Sequence, residues 1–252
     1  MQEEREAIIK EMEKKEKARK AAKSGKRVHI EDALITLHFR STFIEPTLGS
    51  QPGSQQIQSD FIASKSPNAI SRDEEIALYG AESVDDSLTT RFYQEEVDGS
   101  IVRYLLTYQY EGFIKSAAGA MKRGGLLNIP AYKSVINQLV FVSASETLPI
   151  QRKIILQLPD GGSADLNQRS LRASTPKGER TPLASSEQLP AGTSFEYYIR
   201  LLDKSFVQTL LSWIEYGKIC GIGQWRNAGY GRFVTEIKLA DEWIPIEMVD
   251  KI

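Results

Sequence analysis

The chain has 252 residues, of which 41% are hydrophobic and 26% are charged, so it is long enough to bury one sizeable core. Lys and Arg number 32 and Asp and Glu number 33, which gives a net charge of -1. This balance excludes a strongly basic nucleic-acid-binding domain and leaves only a local basic patch. The single cysteine, Cys220, excludes an internal disulfide framework and a cysteine-based zinc site, as expected of a cytoplasmic protein.

Residues 1–27 form a separate, strongly charged region. Several Glu–Lys pairs, such as Glu6 and Lys10, have the i,i+4 spacing and order that stabilise a helix. Because apolar residues are few, we predict a solvated N-terminal helix that ends at Ser24-Gly25. The alternative is a basic arm that reaches a phosphate backbone or a neighbouring subunit. No membrane contact is expected, because the chain has no apolar run of membrane-spanning length.

The rest of the chain, 28–252, is predicted to be one domain with two large insertions. Alternating apolar residues predict a first strand over 33–40. Pro and Gly residues then predict an insertion over about 42–109, which contains a hairpin around Asp98-Gly99. Further along, periodicity predicts a helix over 111–122, strands over 139–142, 154–158 and 195–202, a helix over 204–216 capped by Asp203, and a last strand over 232–239.

The second insertion covers about 144–193, and its part from 159 onwards is rich in Gly, Ser, Pro and Arg. This composition predicts an extended hairpin or flexible flap. Its basic residues Arg169, Arg172, Lys177 and Arg180 make it a candidate nucleic-acid contact that could grip a strand like a thumb. The alternative is a mobile hairpin whose charges are only solvated.

Without the two insertions, the element order is β-α-β-β-α-β. This order predicts an α+β fold with a ferredoxin-like, or RRM-like, core. Both helices then cover one face of a four-stranded sheet, and the other face is free to stack bases.

The most distinctive segment, residues 221–233, lies between the last predicted helix and strand. Arginine side chains suit phosphate groups and aromatic rings stack on bases. Glycines allow a close approach of backbone or ligand, but they could also serve only to close the helix onto the sheet. Trp225 could stack on a base or lie in the core. The candidate nucleic-acid-binding residues here are Gly221, Gly223, Trp225, Arg226, Asn227, Gly229, Gly231 and Arg232.

This glycine-rich loop, in its position before the last strand, resembles the one found in the RAMP superfamily of CRISPR-associated RNA-binding proteins. A second segment, 110–118, resembles the small-residue turn before the first helix of that family. The resemblance implies that Gly112 and Lys115 hold phosphates at a helix N-terminus, where N–H groups are free. Other stretches, such as 48–52 and 223–227, resemble uncharacterised proteins of phages and prophages, which would place the protein in a bacterial host cell.

Catalytic chemistry has one candidate residue, His38, on the outward side of the first strand. Some RAMP proteins cleave RNA with a histidine, but the sequence near His38 offers no partner for such chemistry. Acidic pairs such as Asp85-Asp86 lack the spacing of a calcium loop, so neither a metal nor a cofactor is expected.

The sequence therefore favours a non-catalytic protein that binds single-stranded nucleic acid, RNA rather than DNA. Homo-oligomers along the strand, or a CRISPR-like ribonucleoprotein, would agree with the family resemblance. The alternatives are a Cas6-like endoribonuclease that uses His38, and a phage protein that binds a host defence component.

Overall fold

A computed structural model describes residues 30–53, 90–148, 151–170, 173–175, 178–180 and 183–249. The predicted N-terminal helix within residues 1–27 lies outside these residues, and so do Arg172 and Lys177. The described part has a mixed α+β fold with a large antiparallel sheet and few helices.

Short helices and many strands make up the described chain. The strands are β1 Ile35–Phe43, β2 Thr47–Leu48, β3 Gln51–Pro52, β4 Thr90–Arg91, β5 Tyr93–Val97, β6 Ser100–Leu106, β7 Val140–Ser143, β8 Lys153–Gln157, β9 Asp165–Ser170, β10 Ala173–Thr175, β11 Gly178–Arg180, β12 Leu183–Leu189, β13 Ser194–Leu201, β14 Phe233–Leu239 and β15 Glu242–Pro245. The α-helices are α1 Ile30–Ala33, α2 Thr107–Arg123, α3 Tyr132–Leu139, α4 Val207–Glu215 and α5 Gly217–Cys220. Short 3-10 turns cover Lys204–Phe206, Arg226–Ala228 and Ile246–Met248.

The main sheet has the strand order β15-β14-β1-β13-β8-β6-β5, and β7 also pairs with β13. Neighbouring strands are antiparallel. The strands predicted over 33–40, 139–142, 195–202 and 232–239 correspond to β1, β7, β13 and β14. The hairpin predicted around Asp98-Gly99 is formed by β5 and β6, and it extends this sheet through β8.

Alternation along β1 separates a core side from an outer side. Leu37, Phe39 and Phe43 are buried and belong to the same cluster as residues of α2 and α4, whereas His38 and Arg40 point outwards. Phe233 lies where these elements meet, and its ring centroid is 5.0 Å from that of Phe113 on α2. The strand that follows the glycine-rich loop is therefore packed directly against α2.

A hydrogen-bonded group of hydroxyls lies inside this apolar core. The hydroxyls of Tyr110 and Tyr197 bond to each other, and Ser41 Oγ lies 3.1 Å from the Tyr197 hydroxyl and 2.7 Å from Thr235 Oγ1. Burial raises the pKa of both tyrosines well above the usual value, so they remain neutral. The network joins α2 to three strands of the sheet, and its members satisfy one another.

Helix α2 begins at Thr107, not at 111 as predicted. Strand β6 ends at Leu106 and passes into the helix without a linker. The side-chain Oε1 of Gln109 accepts a hydrogen bond of 2.9 Å from the Leu106 N–H, which caps the helix from within its first turn. A strand ending in apolar residues gave no turn signal at this point, so the sequence placed the helix start too late.

A second, smaller sheet is built from parts of both predicted insertions. Its strand order is β2-β12-β4-β3, and β9 also pairs with β12. Strands β9 and β12, continued by β10 and β11, form the extended hairpin predicted for this region, and we call it the arm (residues 165–189). The backbone of Arg180 lies in β11. Among the described residues, no helix is long and apolar enough to cross a bilayer.

Candidate nucleic-acid interface

The glycine-rich loop (residues 221–232) is held closed by its own backbone. The Ile222 N–H donates a 2.9 Å hydrogen bond to the Gly231 carbonyl, and Gly231 donates one of 2.8 Å to Pro46. Gly221 and Gly231 both have positive φ angles, +67° and +71°. A Cβ on Gly231 would lie 1.9 Å from the Ile222 carbonyl oxygen. The fold therefore requires glycine at both positions, which agrees with the alternative that these glycines serve the structure of the loop.

The other two glycines of the loop also have backbone angles that L-residues rarely adopt. Gly223 has a φ of +92°, and a Cβ there would come within 3.0 Å of the Leu48 carbonyl oxygen on β2. Gly229 has a φ of +93° and lies beside the guanidinium of Arg232. The loop therefore lies against the small sheet, and its shape depends on glycine at each of these positions.

The Trp225 side chain lies at the surface and not in the core, and its stacking on a base stays a prediction. Its ring is 42% exposed and stacks on Tyr230, with a centroid distance of 5.2 Å and an interplanar angle of 16°. The guanidinium carbon of Arg169 lies 4.9 Å from the Trp225 ring centroid, within the range of a cation–π contact. Trp225 is thus held at the surface by neighbours on the protein.

The base of the arm is hydrogen-bonded to this loop. Arg169 on β9 donates from Nη2 to Gln224 Oε1 at 3.3 Å, and Asn167 Nδ2 donates to the Tyr230 hydroxyl at 3.0 Å. Asn167 and Arg169 are two positions apart on a strand and so share a face. Arg169 belongs to the basic segment predicted as a candidate contact, but its place beside the loop was not predicted. Asn167 and Gln224 were not selected as site residues, because only the fold brings β9 to the loop.

A pocket of about 240 Å³ lies between α2, the small sheet and the glycine-rich loop. It brings together residues from both segments that the sequence analysis singled out, namely Gly112 on α2 and Gly223 and Arg226 on the loop. The full lining is Thr47, Leu48, Ser50, Phe92, Leu105, Gln109, Gly112, Phe113, Ser116, Ile222, Gly223 and Arg226. We refer to this cavity as the loop–helix pocket.

Gly112 lines the pocket, but the reason predicted for its role is wrong. It is well inside α2, beyond the first four residues whose N–H groups a helix leaves free. A Cβ at Gly112 would have nothing within 4 Å among the described residues. Nothing in the fold therefore requires glycine here, although glycine inside a helix costs roughly 0.5–1 kcal/mol relative to alanine.

Lys115 does not line the pocket. Its Nζ lies 3.9 Å from Glu111 Oε2, one turn earlier on the same helix. Burial raises the pKa of Glu111, and the charge of Lys115 opposes that rise. The helix-N-terminus mechanism predicted for Lys115 fails for the same reason as that for Gly112. A phosphate contact by its ammonium group stays a prediction.

The polar residues of the loop are placed differently from one another. Arg226 and Asn227 are exposed in the 3-10 turn, and the Arg226 guanidinium lies 3.9 Å from Cys220 Sγ. Arg232 is half-buried, and its Nε has no hydrogen-bond partner within the described part of the chain. Arg226 is therefore the loop cation best placed to meet an approaching phosphate at the pocket.

His38 lies on the outer face of the main sheet and does not line the pocket. Its Nε2 is 3.1 Å from Glu196 Oε2, its ring stacks on Tyr198 at 4.2 Å, and it meets Trp243 edge-on at 4.8 Å. Arg40 lies over Trp243 and is paired with Glu236 at 2.8 Å. This face offers aromatic rings, but these contacts tie His38 and Arg40 to carboxylates of the same sheet.

The pKa of His38 is lowered because burial disfavours the charged imidazolium, and Glu196 opposes that effect. The stabilising contribution of neutral His38 is therefore fully present above its unfolded pKa of about 6.5 and is lost as the pH falls through the lower folded pKa. We expect the wild type to lose more unfolding free energy than His38→Gln between about pH 8 and about pH 5, measured by urea unfolding. Equal losses would contradict this.

No protein-family model and no curated protein matches the sequence. Among solved structures, the fold is similar to a chain in the cryo-EM structure of the Type III-B Cmr-beta bound to cognate target RNA. That likeness has 12% identity and a TM-score of 0.50, and covers 92% of this chain and 68% of that chain. Cmr6 from Pyrococcus furiosus also matches, with 10% identity and a TM-score of 0.38 over 79% of this chain and 97% of the other.

At this level of identity, the first likeness concerns the fold. It agrees with the mixed α+β architecture that the sequence predicted. The second likeness is too distant to add to that, and neither bears on the predicted phage origin.

Proposed function

We propose that this protein binds single-stranded RNA through the loop–helix pocket and the glycine-rich loop, as a RAMP-like protein. The observation that carries the proposal is that Gly112, Gly223 and Arg226 line one pocket. These positions come from two segments far apart in the chain, each of which resembles a RAMP signature. The neighbouring chain in the Cmr-beta structure, whose complex holds target RNA, agrees with this function.

A ferredoxin-like core is part of the proposal. Its support is the order β14-β1-β13-β7 within the main sheet, with α2 between β1 and β7 in the chain and α4 between β13 and β14. Residues of both helices share one buried cluster with the inward side chains of these strands. This arrangement places the glycine-rich loop, which precedes β14, beside α2.

Phosphates would meet cations at the outer rim of the pocket. Arg226 stands on that rim, and Arg232 follows at the end of the loop. The arm begins at β9, which is bonded to the loop, so its basic residues Arg172, Lys177 and Arg180 belong to a segment that starts beside the same site. The proposal also includes self-assembly of the protein along the RNA and membership of a ribonucleoprotein complex. Mass photometry with and without RNA would test both.

Arg226→Ala is expected to weaken binding to single-stranded RNA by about tenfold, because a hydrogen bond to a charged group contributes roughly 1.5–3 kcal/mol. The slope of log affinity against log salt should fall by about 0.7, as for one lost phosphate contact. Fluorescence polarisation with labelled RNA and DNA at several salt concentrations measures both quantities. Arg123→Ala is the matched control, since Arg123 is an exposed arginine at the far end of α2.

The proposal fails if the wild type binds neither nucleic acid in a salt-dependent way, or if the Arg226 and Arg123 variants weaken binding equally. Gel analysis of the same samples reports cleavage. RNA cut by the wild type but left intact by His38→Ala would favour the endoribonuclease alternative. A stable complex with a protein partner, together with no affinity for RNA, would favour the interaction protein.

A further inference from the structure

We infer that the loop–helix pocket receives a single unstacked nucleobase, while the phosphates of the same strand stay outside at its rim. This inference rests on the proposed function and names what enters the site. The pocket measures about 240 Å³. Sites that enclose drug-sized ligands measure about 300–1,000 Å³, so the pocket suits a smaller group.

The apolar floor of the pocket favours a base over a phosphate. Leu48, Phe92, Leu105, Phe113 and Ile222 form it, and each is at most 5% exposed. A phosphate against this surface would lose its hydration without gaining a partner there, which costs far more than the burial of an aromatic ring. A base buries its two faces against such side chains and gains from contact with aromatic rings.

The rim supplies groups that can meet the polar edge of a base. Gln109 accepts from the Leu106 N–H through Oε1 at 2.9 Å and donates to Ser50 Oγ through Nε2 at 2.7 Å, which fixes its amide in place. Among the described residues, these bonds leave one N–H and one lone pair of the Gln109 amide for a ligand. Thr47 and Ser116 also line the pocket, and a hydroxyl group can both donate and accept. The rim therefore accommodates different bases.

Gly112 provides the opening. It has an ordinary helical conformation, and space lies where its Cβ would be, in contrast to Gly221 and Gly231, whose Cβ atoms would collide with backbone. A side chain at Gly112 would therefore have room at the edge of the pocket that Gly112 lines. Its glycine is explained by what enters the pocket and not by the packing of the helix.

Abasic scanning tests the inference directly. The shortest RNA that keeps full affinity is prepared with one base removed at each position in turn, so that a single register is examined. One position should stand out, with a loss of about tenfold or more, because stacking of one base contributes roughly 1–3 kcal/mol. In Gly112→Leu, intact RNA and RNA abasic at that position should bind equally, because we expect the added side chain to block entry of a base.

Two control variants make the outcome specific. Lys122→Leu adds the same side chain at an exposed position of α2 away from the pocket, and should keep the wild-type difference between intact and abasic RNA. Gly112→Ala should melt at or above the wild-type temperature, because alanine favours the helix and meets no neighbour.

The possible failures are distinguishable. RNA that binds with no position standing out, or with the same position standing out in Gly112→Leu, overturns the base pocket and leaves the proposed function intact. Wild-type protein without affinity for RNA overturns both.

Discussion

Gly231→Ala is expected to destabilise the protein more than other single changes in the glycine-rich loop. Alanine at a φ of +71° carries a backbone strain of about 1–3 kcal/mol. In addition, its Cβ would lie 1.9 Å from the Ile222 carbonyl oxygen, so the loop must open, which we expect to cost about 1–3 kcal/mol more. Urea unfolding measures the total, and RNA affinity should fall because Gly223 and Arg226 move with the loop.

Gly161→Ala separates the two causes. Gly161 has the same φ of +71°, but a Cβ there would have no described neighbour within 4 Å. This variant should show only the strain, and should leave RNA affinity unchanged. Equal losses of stability in the two variants would mean that the contact between Gly231 and Ile222 does not hold the loop together.

Glu187→Ala is the second change with a large expected effect. Glu187 lies on β12, is 7% exposed, and accepts hydrogen bonds from Arg103 Nε at 2.5 Å and from the Phe92 N–H at 2.9 Å. Its removal leaves the partly buried Arg103 charge and the buried Phe92 N–H without this partner. Loss of one member of a buried ion pair costs about 3–5 kcal/mol, and because Arg103 is partly exposed we expect a loss at the lower end of this range in the unfolding free energy.

A double-mutant cycle tests the coupling in this pair. Arg103→Leu and Glu187→Leu should each destabilise the protein strongly, and the double variant should lose clearly less than the sum of the two. Additive losses would contradict the pairing. Because Glu187 belongs to the arm and Arg103 to β6 of the main sheet, the single variants should also expose the arm to proteolysis.

The sequence predicted the long, half-buried strands well, since alternation marks them without knowledge of their partners. The strand predicted over 195–202 is β13, Ser194–Leu201, and that over 232–239 is β14, Phe233–Leu239. The predicted start of α2 was wrong, because Gln109 caps the helix through a side-chain hydrogen bond that no local sequence pattern indicates. Strands of two residues, such as β2, carry no periodic signal, and their sheet was not predicted.

The candidate site was predicted in part for the same physical reasons. Glycines with positive φ can be suspected from a glycine-rich segment, and Gly112 was selected although the mechanism given for it was wrong. What sequence reasoning missed is tertiary. Arg169 reaches Gln224 only because β9 pairs with β12, and β12 lies against the loop through β2 and β4.

The hydrogen bonds from Asn167 and Arg169 join the base of the arm to the glycine-rich loop. A nucleic-acid strand that touched both the loop and the arm would therefore be held by two contacts whose supports are hydrogen-bonded to each other. Once the first contact has formed, the second forms at a high effective concentration, so two individually weak contacts combine as avidity. Release would then require both contacts to open together. Cutting the arm away from the loop would shorten the lifetime of the complex strongly but change the rate of its formation little.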